Sequence, residues 1–197
     1  MKVVIIKYNA GNIRSVLFAL ERIGVDAIVS DNHEEIRSAD RVIFPGVGEA
    51  SSAMKYLKEK GLDELICSLK QPVLGICLGM QLMCVHSEEN NTECLGIFNQ
   101  KVKLFPNVGL KIPQIGWNNI THLESNLFNG IAENSYMYFV HSFYVENSIN
   151  AISKTDYTLE FSSAVQKDNF YAVQFHPEKS GEAGQKILKN FIFNTQN

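Results

Sequence analysis

The chain has 197 residues, of which 45% are hydrophobic and 20% charged, and its 18 lysines and arginines against 21 aspartates and glutamates give a formal net charge of −3. This near-average composition excludes a disordered, collagen-like or coiled-coil chain, and without a run of basic residues the chain offers no footprint for a nucleic-acid backbone. A chain of this length buries roughly 70% of its unfolded surface, so one hydrophobic core suffices without a disulfide or a structural metal.

The first predicted element is a short apolar strand, Val3 to Ile6. It is shorter than the apolar region of a secretory signal peptide. The longest apolar stretch, Val73 to Met80, is far below the roughly 20 residues that a membrane-spanning helix needs. The sequence has four cysteines without a Cys-x-x-Cys pair, namely Cys67, Cys77, Cys84 and Cys94. We therefore expect a cytoplasmic protein without disulfide bonds.

Helices and strands alternate in the first half of the chain, as they do in proteins with a parallel sheet. Apolar residues recur at the helical period from Ile13 to Ile23, and Gly24 follows as a C-terminal cap. The remaining elements predicted in this half are strands over 27–29, 41–44 and 72–76 and helices from about Ser51 and about Gly79.

From Gln100 onward the apolar runs are shorter and alternate more, which indicates a mixed or antiparallel extension of the sheet. The strands predicted there are Lys101 to Phe105, Tyr136 to Tyr144, Thr158 to Val165 and Phe170 to Phe175. The last segment, Ala183 to Phe193, places apolar residues on one face and predicts a helix that packs on the sheet. The chain is thus predicted to be one α/β domain over residues 1–197, with an open, mixed but mostly parallel sheet flanked by helices.

The segment Gly75-Ile76-Cys77-Leu78-Gly79 joins a predicted buried strand to a predicted helix. It is the thiol counterpart of the Gly-x-Ser-x-Gly nucleophile elbow, in which a strained turn presents the nucleophile and small neighbours leave room for the substrate. The N-terminus of the following helix favours the thiolate form of the sulfur. The alternative is that Cys77 is a small buried apolar residue, as free cysteines often are.

His176 is the candidate base for such a thiol. Pro177 follows it and favours an extended conformation at His176. In an extended segment, residues two apart point the same way, so the carboxylate of Glu178 can orient the imidazole. Cys77, His176 and Glu178 would then be nucleophile, general acid/base and orienting group. Taken by itself, a solvated His-Pro-Glu turn is the alternative.

Attack on a carbonyl also needs donors for the oxyanion that forms. The turn Pro45-Gly46-Val47-Gly48 follows a neighbouring predicted strand, at the edge where open α/β sheets bind ligands. We expect the backbone N–H groups of Val47 and Leu78 to form an oxyanion hole. A glycine-rich turn with a purely structural role is the alternative.

These motifs together resemble the triad-type (class I) glutamine amidotransferases, over residue 1 to about 195. The segments that carry the resemblance are Gly75-Ile76-Cys77-Leu78-Gly79-Met80-Gln81 and His176-Pro177-Glu178. The resemblance implies that Cys77 attacks the side-chain amide of glutamine and that His176 protonates the departing ammonia. A glutamyl thioester would form, and water would hydrolyse it to glutamate.

The resemblance also implies the substrate contacts. Those positions are Gly46, Gln81, Glu89, Ser142 and Phe143, the last two through their backbone near the α-carboxylate of glutamine. The alternative for Gln81 and Glu89 is a position on an exposed helix surface. The alternative for His141 is a strand histidine whose hydrogen bonds are satisfied. No metal, nucleotide or flavin site is expected, because the sequence has no Walker-type loop, no Gly-x-Gly-x-x-Gly and no His/Cys ligand cluster.

Further motifs narrow the resemblance to the branch of the family that serves histidine biosynthesis. They are Ala10-Gly11-Asn12-Ile13-Arg14-Ser15-Val16, Pro45-Gly46-Val47-Gly48, Pro113-Gln114-Ile115-Gly116-Trp117-Asn118, Tyr138-Phe139-Val140-His141-Ser142-Phe143-Tyr144 and Gln174-Phe175-His176-Pro177-Glu178-Lys179-Ser180. The resemblance implies a heterodimer in which ammonia passes to a separate (βα)₈-barrel cyclase subunit. The positions implied at the partner interface and ammonia gate are Asn12, Trp117, Asn118, Tyr138 and Lys179. A core aromatic pair and a solvated lysine are the alternative.

Two segments depart from the family pattern. Lys7-Tyr8-Asn9 stands where Asp-Tyr-Gly is more usual, and Cys84-Val85-His86 replaces an aromatic-acidic stretch. A related amidotransferase that supplies ammonia to another synthase therefore stays open, although Pro-Gly-Val-Gly and Gly-Trp-Asn weigh against synthases of pyridoxal phosphate or anthranilate. A binding module that kept the fold and lost the chemistry is the third alternative, and the complete triad weighs against it.

Overall fold

The computed structural model describes residues 1–9 and 11–195. Ala10, in the turn predicted before the first helix, and the last two residues of the predicted domain lie outside the described residues. Within the described part, no helix is both long and apolar enough to cross a membrane.

The chain alternates helices and strands throughout its first half. The helices are α1 (Ile13–Arg22), α2 (His33–Arg37), α3 (Ala50–Glu59), α4 (Leu62–Ser68), α5 (Leu78–Met83) and α6 (Gly181–Phe193), and three short 3₁₀ turns span Glu89–Asn91, Asn126–Phe128 and Pro177–Lys179. The strands are β1 (Val3–Ile6), β2 (Ala27–Ser30), β3 (Arg41–Gly46), β4 (Val73–Cys77), β5 (His86–Ser87), β6 (Thr92–Glu93), β7 (Lys101–Leu104), β8 (Gln114–Asn119), β9 (Tyr136–His141), β10 (Phe143–Val145), β11 (Ala151–Asp156), β12 (Glu160–Lys167) and β13 (Phe170–Val173).

Five parallel strands form the centre of the molecule, in the order β2-β1-β3-β4-β13. Strands β1, β3, β4 and β13 are buried along their whole length, as expected when helices cover both faces of a sheet. Alternate residues of β1 enter two different cores. Val4 and Ile6 pack with α3 and α4, whereas Val3 and Ile5 pack with α1 and α6.

The sheet continues beyond β13 through an extension that is mostly antiparallel. Strand β12 pairs with β13, β10 with β12, and β7 with β10, all antiparallel, and β11 pairs with β12 at its side. Strands β5 and β6 complete the edge, while β8 and β9 form a separate two-stranded sheet. The predicted fold class, an open, mixed but mostly parallel sheet flanked by helices, is confirmed.

One predicted strand is wrong as a single element. The segment from Tyr136 to Tyr144 divides at Ser142, because β9 pairs with β8 whereas β10 joins the main sheet. The Ser142 carbonyl accepts a hydrogen bond from the Phe105 N–H at 3.0 Å, which holds the chain where it leaves one sheet for the other. This division places residues 142 and 143 in the lining of the same cavity as Cys77.

Candidate active site

Cys77 is the last residue of β4, and α5 begins at the next residue. Its backbone has φ 53° and ψ −107°, a conformation that is strained for any residue except glycine. A Cβ on Gly79 would overlap the carbonyl oxygen of Phe44, and one on Gly75 would lie 2.9 Å from the Met83 Sδ. The predicted nucleophile elbow is therefore present, and its glycines are required by the close approach of neighbouring backbone and side chains.

The parallel pairing of β3 with β4 brings the predicted oxyanion turn to the same sheet edge as Cys77. Gly46, at the end of β3, pairs in register with Cys77. Val47 and Leu78 follow these two residues directly and both line the cavity in front of the sulfur. The hydroxyl of Tyr8 supports the turn from below by donating to the Pro45 carbonyl at 2.7 Å. Burial, followed by the charge at Cys77, raises the pKa of Tyr8, so this hydroxyl stays a donor.

His176 and Glu178 form a buried pair at this edge. The Nδ1 atom of His176 lies 2.7 Å from Oε1 of Glu178, and the side chains are 2% and 0% exposed. The amide of Asn12 donates to the same carboxylate oxygen. This burial rules out the alternative of a solvated turn. His176 has the predicted extended backbone, with φ −100° and ψ 94°, but Pro177–Lys179 then forms a 3₁₀ turn, so the contact with Glu178 does not arise from a continuous extended segment.

The environment of His176 favours its protonated form. Burial lowers its pKa, but hydrogen bonding and electrostatic attraction from Cys77, and then from Glu178, outweigh burial and raise the pKa to about 10. Since Glu178 occupies Nδ1, the other ring nitrogen is left for the sulfur. A cysteine and an imidazolium in contact are suited to nucleophilic attack followed by proton donation.

Two further groups contact the sulfur of Cys77. The Val140 carbonyl oxygen lies 3.8 Å from Sγ, and Nε2 of Gln174 lies 3.7 Å from it. Gln174 lies in the motif that contains His176 but is not among the predicted site residues. The signal in the sequence is that Gln174 is a single glutamine in the apolar run from Phe170 to Phe175. The structure buries its side chain completely.

Cys77 lines a cavity of about 270 Å³. Its lining contains six residues predicted for the oxyanion hole or the substrate site, namely Val47, Leu78, Gln81, Glu89, Ser142 and Phe143, together with Cys77 itself. Gly46 does not belong to the lining, although it adjoins Val47. The lining is completed by four residues that are not among the predicted site residues, namely Gly48, Pro113, Val140 and His141.

Gln81 and Glu89 are held toward the cavity by specific hydrogen bonds. Gln81 is buried, and its Nε2 donates to the Phe143 carbonyl at 3.0 Å. Glu89 is half-buried in a 3₁₀ turn and accepts a hydrogen bond from the Ala50 N–H at 2.7 Å. Burial raises the pKa of Glu89, and the hydrogen bond from Ala50 opposes that rise. Neither residue lies on an exposed helix surface.

His141 is a buried histidine in the cavity lining. Its Nδ1 lies 2.7 Å from the Phe143 carbonyl oxygen and its Nε2 lies 2.9 Å from Oε1 of Gln114. Burial, reinforced by the positive charge of His176, outweighs the hydrogen bond to Phe143 and lowers the pKa of His141 to about 4. A neutral ring donates from Nδ1 to the carbonyl, and a half-turn of the Gln114 amide offers its NH₂ to the other nitrogen.

We expect His141 to make the fold sensitive to acid. His141 binds a proton near pH 6.5 in the unfolded chain but only near pH 4 in the folded chain. Between these pH values the unfolded state binds more protons, so the free energy of unfolding falls as the pH decreases. Across the whole interval, the free energy of unfolding falls by about 3 kcal/mol because of His141. His141→Asn keeps a donor for the Phe143 carbonyl but has no group that titrates in this range. Its free energy of unfolding, measured by denaturation, should therefore decrease less between pH 6.5 and pH 4 than that of the unaltered chain.

The matched control is His122→Asn, which changes an exposed histidine. It should follow the pH dependence of the unaltered chain. An equally steep decline in the free energy of unfolding of His141→Asn would contradict the assignment of a neutral, buried His141.

Two of the predicted interface residues, Trp117 on β8 and Tyr138 on β9, form a small exposed aromatic surface. Trp117 is 55% exposed and packs edge to face on Tyr138, with ring centroids 5.9 Å apart. The ammonium of Lys179 lies 6.0 Å from the Tyr138 ring centroid. The exposure of Trp117 contradicts the alternative of a core aromatic pair. The Tyr138 carbonyl also accepts the His176 N–H at 2.9 Å, which connects this surface to the candidate triad.

Two of the predicted interface residues, Asn12 and Asn118, donate side-chain hydrogen bonds within the chain. Asn12 binds Glu178 and Asn118 donates to the Asp156 carbonyl at 2.8 Å. The two segments that differ from the family pattern contain residues with structural roles. Asn9 donates to the Ser52 carbonyl at 3.2 Å, and Cys84 is fully buried. Within residues 1–9 and 11–195, the four cysteines are free and no group of three or more His, Cys, Asp or Glu side chains could hold a metal ion.

Comparisons with known proteins agree with this geometry. The sequence profile described as "Glutamine amidotransferase class-I" matches residues 4–195. The imidazole glycerol phosphate synthase subunit HisH of Bacteroides fragilis is 58% identical over 194 residues, which cover 98% of this chain and 99% of that protein. The protein of the same name from Bacteroides thetaiotaomicron is 56% identical over 194 residues, with the same coverage. Among solved structures, PurLQS from Thermotoga maritima has a TM-score of 0.72 at 16% identity, covers 97% of both chains, and supports the fold alone.

Proposed function

The chain belongs to the class-I glutamine amidotransferase family, and we propose that Cys77, His176 and Glu178 are the triad with which it hydrolyses glutamine. As a member of this family, the chain is an enzyme, and we assign residues 1–197 to one glutamine amidotransferase domain. The observation that carries the triad assignment is the strained Cys77 at the mouth of the cavity, in contact with a buried imidazolium that Glu178 holds.

The reaction begins when the Cys77 thiolate attacks the side-chain amide carbon of glutamine. The carbonyl oxygen becomes an oxyanion, for which the backbone N–H groups of Val47 and Leu78 are the proposed donors. As the C–N bond breaks, His176 gives its proton to the departing nitrogen and ammonia leaves. A glutamyl thioester remains on Sγ. His176, now neutral, takes a proton from water, which adds to the thioester and releases glutamate and the thiolate.

The cavity lining suits glutamine as a substrate. The carboxylate of Glu89 provides a negative group for the α-ammonium, and the backbone at Ser142 and Phe143 is proposed to bind the α-carboxylate. The Gln81 amide lines the same cavity and donates to the Phe143 carbonyl. Gly46 contributes by leaving room beside Tyr8, because a side chain there would overlap the tyrosine hydroxyl. A neutral His141 adds no charge that would compete for the substrate carboxylate.

The chain is the glutaminase subunit of imidazole glycerol phosphate synthase and serves histidine biosynthesis. Its ammonia goes to the cyclase subunit, which makes imidazole glycerol phosphate and aminoimidazole carboxamide ribonucleotide. We propose that this partner is a (βα)₈ barrel, that the two chains form a cytoplasmic heterodimer, and that glutamine hydrolysis itself needs no metal or organic cofactor.

The exposed aromatic surface is the proposed contact with the cyclase. The proposed contact consists of Trp117 and Tyr138, which form this surface, together with Asn12, Asn118 and Lys179. Large exposed aromatic side chains are typical anchors of protein interfaces. The hydrogen bond from His176 to the Tyr138 carbonyl and that from Asn12 to Glu178 support this location, because a partner that moves either residue acts directly on the triad.

Glutamate release tests this function. The chain alone should be nearly silent, because uncoupled hydrolysis would waste glutamine, and adding the cyclase with its ribonucleotide substrate should raise the rate at least about tenfold. Trp117→Ala should require about ten times more cyclase for the half-maximal rate, since an interface anchor contributes more than about 1 kcal/mol.

The control is Phe193→Ala, which removes another exposed aromatic ring, 56% exposed at the end of α6. It should leave the titration with the cyclase unchanged. A full rate without the partner, or a tight complex with a different synthase instead, would favour the alternative of an amidotransferase that serves another acceptor.

A further inference from the structure

Gln174 is a buried polar residue in contact with the sulfur of Cys77, and it belongs neither to the triad nor to the cavity lining. Its Nε2 lies 3.7 Å from Sγ, and its side chain is completely inaccessible to solvent. The amide oxygen accepts a hydrogen bond from Gln81 at 3.0 Å. A fully buried amide whose two ends both have partners is held in one position.

The chemistry of the partners determines which end of Gln174 faces the sulfur. The chain of contacts begins at the Phe143 carbonyl, which can only accept a hydrogen bond. Gln81 must therefore present its NH₂ there, at 3.0 Å, and the second hydrogen of that NH₂ points to Gln174. Gln174 then meets Gln81 with its oxygen, which leaves its own NH₂ toward Cys77.

The opposite orientation of Gln174 is unfavourable on both sides. It would set the NH₂ of Gln174 against the NH₂ of Gln81 and would turn the amide oxygen toward the sulfur. The Val140 carbonyl, 3.8 Å from Sγ, already serves as an acceptor for the thiol hydrogen. The sulfur thus has an acceptor for its thiol form and, at Gln174, a donor for its thiolate form.

We propose that Gln174 is a further catalytic residue of glutamine hydrolysis, whose amide N–H binds the Cys77 thiolate and is oriented by Gln81. The proposal rests on the role of Cys77 as nucleophile. A donor to the charged form increases the thiolate population before attack. In the second half of the reaction, water adds to the thioester, the C–S bond breaks with its electron pair moving to Sγ, and Gln174 donates to the thiolate that forms. Gln81 is a positioning residue for this donor.

The test is the pH profile of alkylation of Cys77 by iodoacetamide, followed by mass spectrometry of the peptide that contains it. Gln174→Met removes the donor at similar volume, and Gln174→Glu keeps the acceptor for Gln81 while replacing the donor by a carboxylate. Both should move the midpoint of the profile upward by about one pH unit, a tenfold slower alkylation on the acid side, with the larger shift in Gln174→Glu. In the complex with the cyclase, kcat for glutamate release should fall about tenfold, with KM changed by less than about twofold.

Gln71→Met is the matched control, because Gln71 is a half-buried glutamine that donates to the Ile36 carbonyl at 2.9 Å and does not line the cavity. It should leave the alkylation midpoint unchanged. A midpoint that stays in place in folded Gln174 variants would overturn the proposal and leave Gln174 a purely structural role.

Gln81→Leu decides the question if neither Gln174 variant folds. This change keeps Gln174 but removes the donor that orients it, so the midpoint should again rise, and an unmoved midpoint would refute the proposal. Failure of the proposed function has a different signature. In that case, Cys77 of the unaltered chain would not be alkylated faster than Cys67, and no glutamate would form in the complex.

Discussion

Cys77→Ala is expected to abolish glutamine hydrolysis, with a loss of glutamate release of at least about a thousandfold in the complex with the cyclase. The sulfur lies at the mouth of the cavity, in contact with the His176 imidazolium, and alanine offers no atom that can form the thioester. Cys77→Ser should be similarly inactive. A serine hydroxyl holds its proton far more tightly than a thiol does, so it is the weaker nucleophile at this position.

The loss should be catalytic and not structural. Cys77 is 6% exposed and borders the cavity, so removal of one sulfur atom creates little enclosed void, and stability should change by less than about 1 kcal/mol. Affinity for the cyclase should stay the same, because the exposed aromatic surface is untouched. Cys67→Ala, which removes an exposed thiol, should retain full activity. Substantial glutamate release by Cys77→Ala would refute the assignment of the nucleophile.

The elements that could be predicted from the sequence are those whose side-chain pattern is set by burial over several residues. Strands β1, β3 and β4 are continuous apolar runs, and α1 repeats its apolar face up to Gly24, whose φ of 76° fits the predicted cap. The same local reasoning located the nucleophile elbow, because a strained turn between strand and helix leaves its glycines in the sequence.

Short elements escaped prediction because local hydrogen bonds, and not an apolar face, define them. Helix α2 has five residues and begins where the Asn32 side chain accepts from the N–H groups of Glu34 and Glu35. Helix α4 begins after Gly61 in a left-handed conformation. Strand β8 carries polar residues and Gly116 at φ 134°, so its composition did not indicate a strand. The division of the predicted strand at Ser142 depends on pairing with distant strands.

The contacts that complete the site are long-range and leave little trace in a single sequence. Asn12 and Glu178 are 166 positions apart, and Gln174 is 97 positions from Cys77. Strand β13 lies beside β4 and β3 beside β4, so residues from three separate parts of the chain meet at one sheet edge. The candidate nucleophile and base could be predicted from the chemistry of their side chains. That an amide two residues before His176 lies against the sulfur depends on the pairing of distant strands, which a single sequence does not reveal.

The two other members of the triad should differ in importance, and His176→Asn should be the more damaging change. Removal of the imidazole takes away both the proton for ammonia and the base for water, so we expect a loss of about a thousandfold in kcat. Glu178→Gln keeps an oxygen that can accept from Nδ1 of His176 and removes only the negative charge. Its loss should be about ten- to a hundredfold, since an orienting group contributes less than the proton carrier.

The pH dependence separates these roles further. Burial lowers the pKa of His176, while Cys77 and then Glu178 raise it, so loss of the Glu178 charge should bring this pKa down from about 10. The imidazolium is then lost at lower pH, and the alkaline limb of the kcat profile of Glu178→Gln should move toward neutral pH. Glu182→Gln, which neutralises an exposed carboxylate in the first turn of α6, is the control and should move neither kcat nor its alkaline limb. Equal losses in His176→Asn and Glu178→Gln, with the alkaline limb in place, would mean that Glu178 acts by packing and that its charge does not sustain the imidazolium.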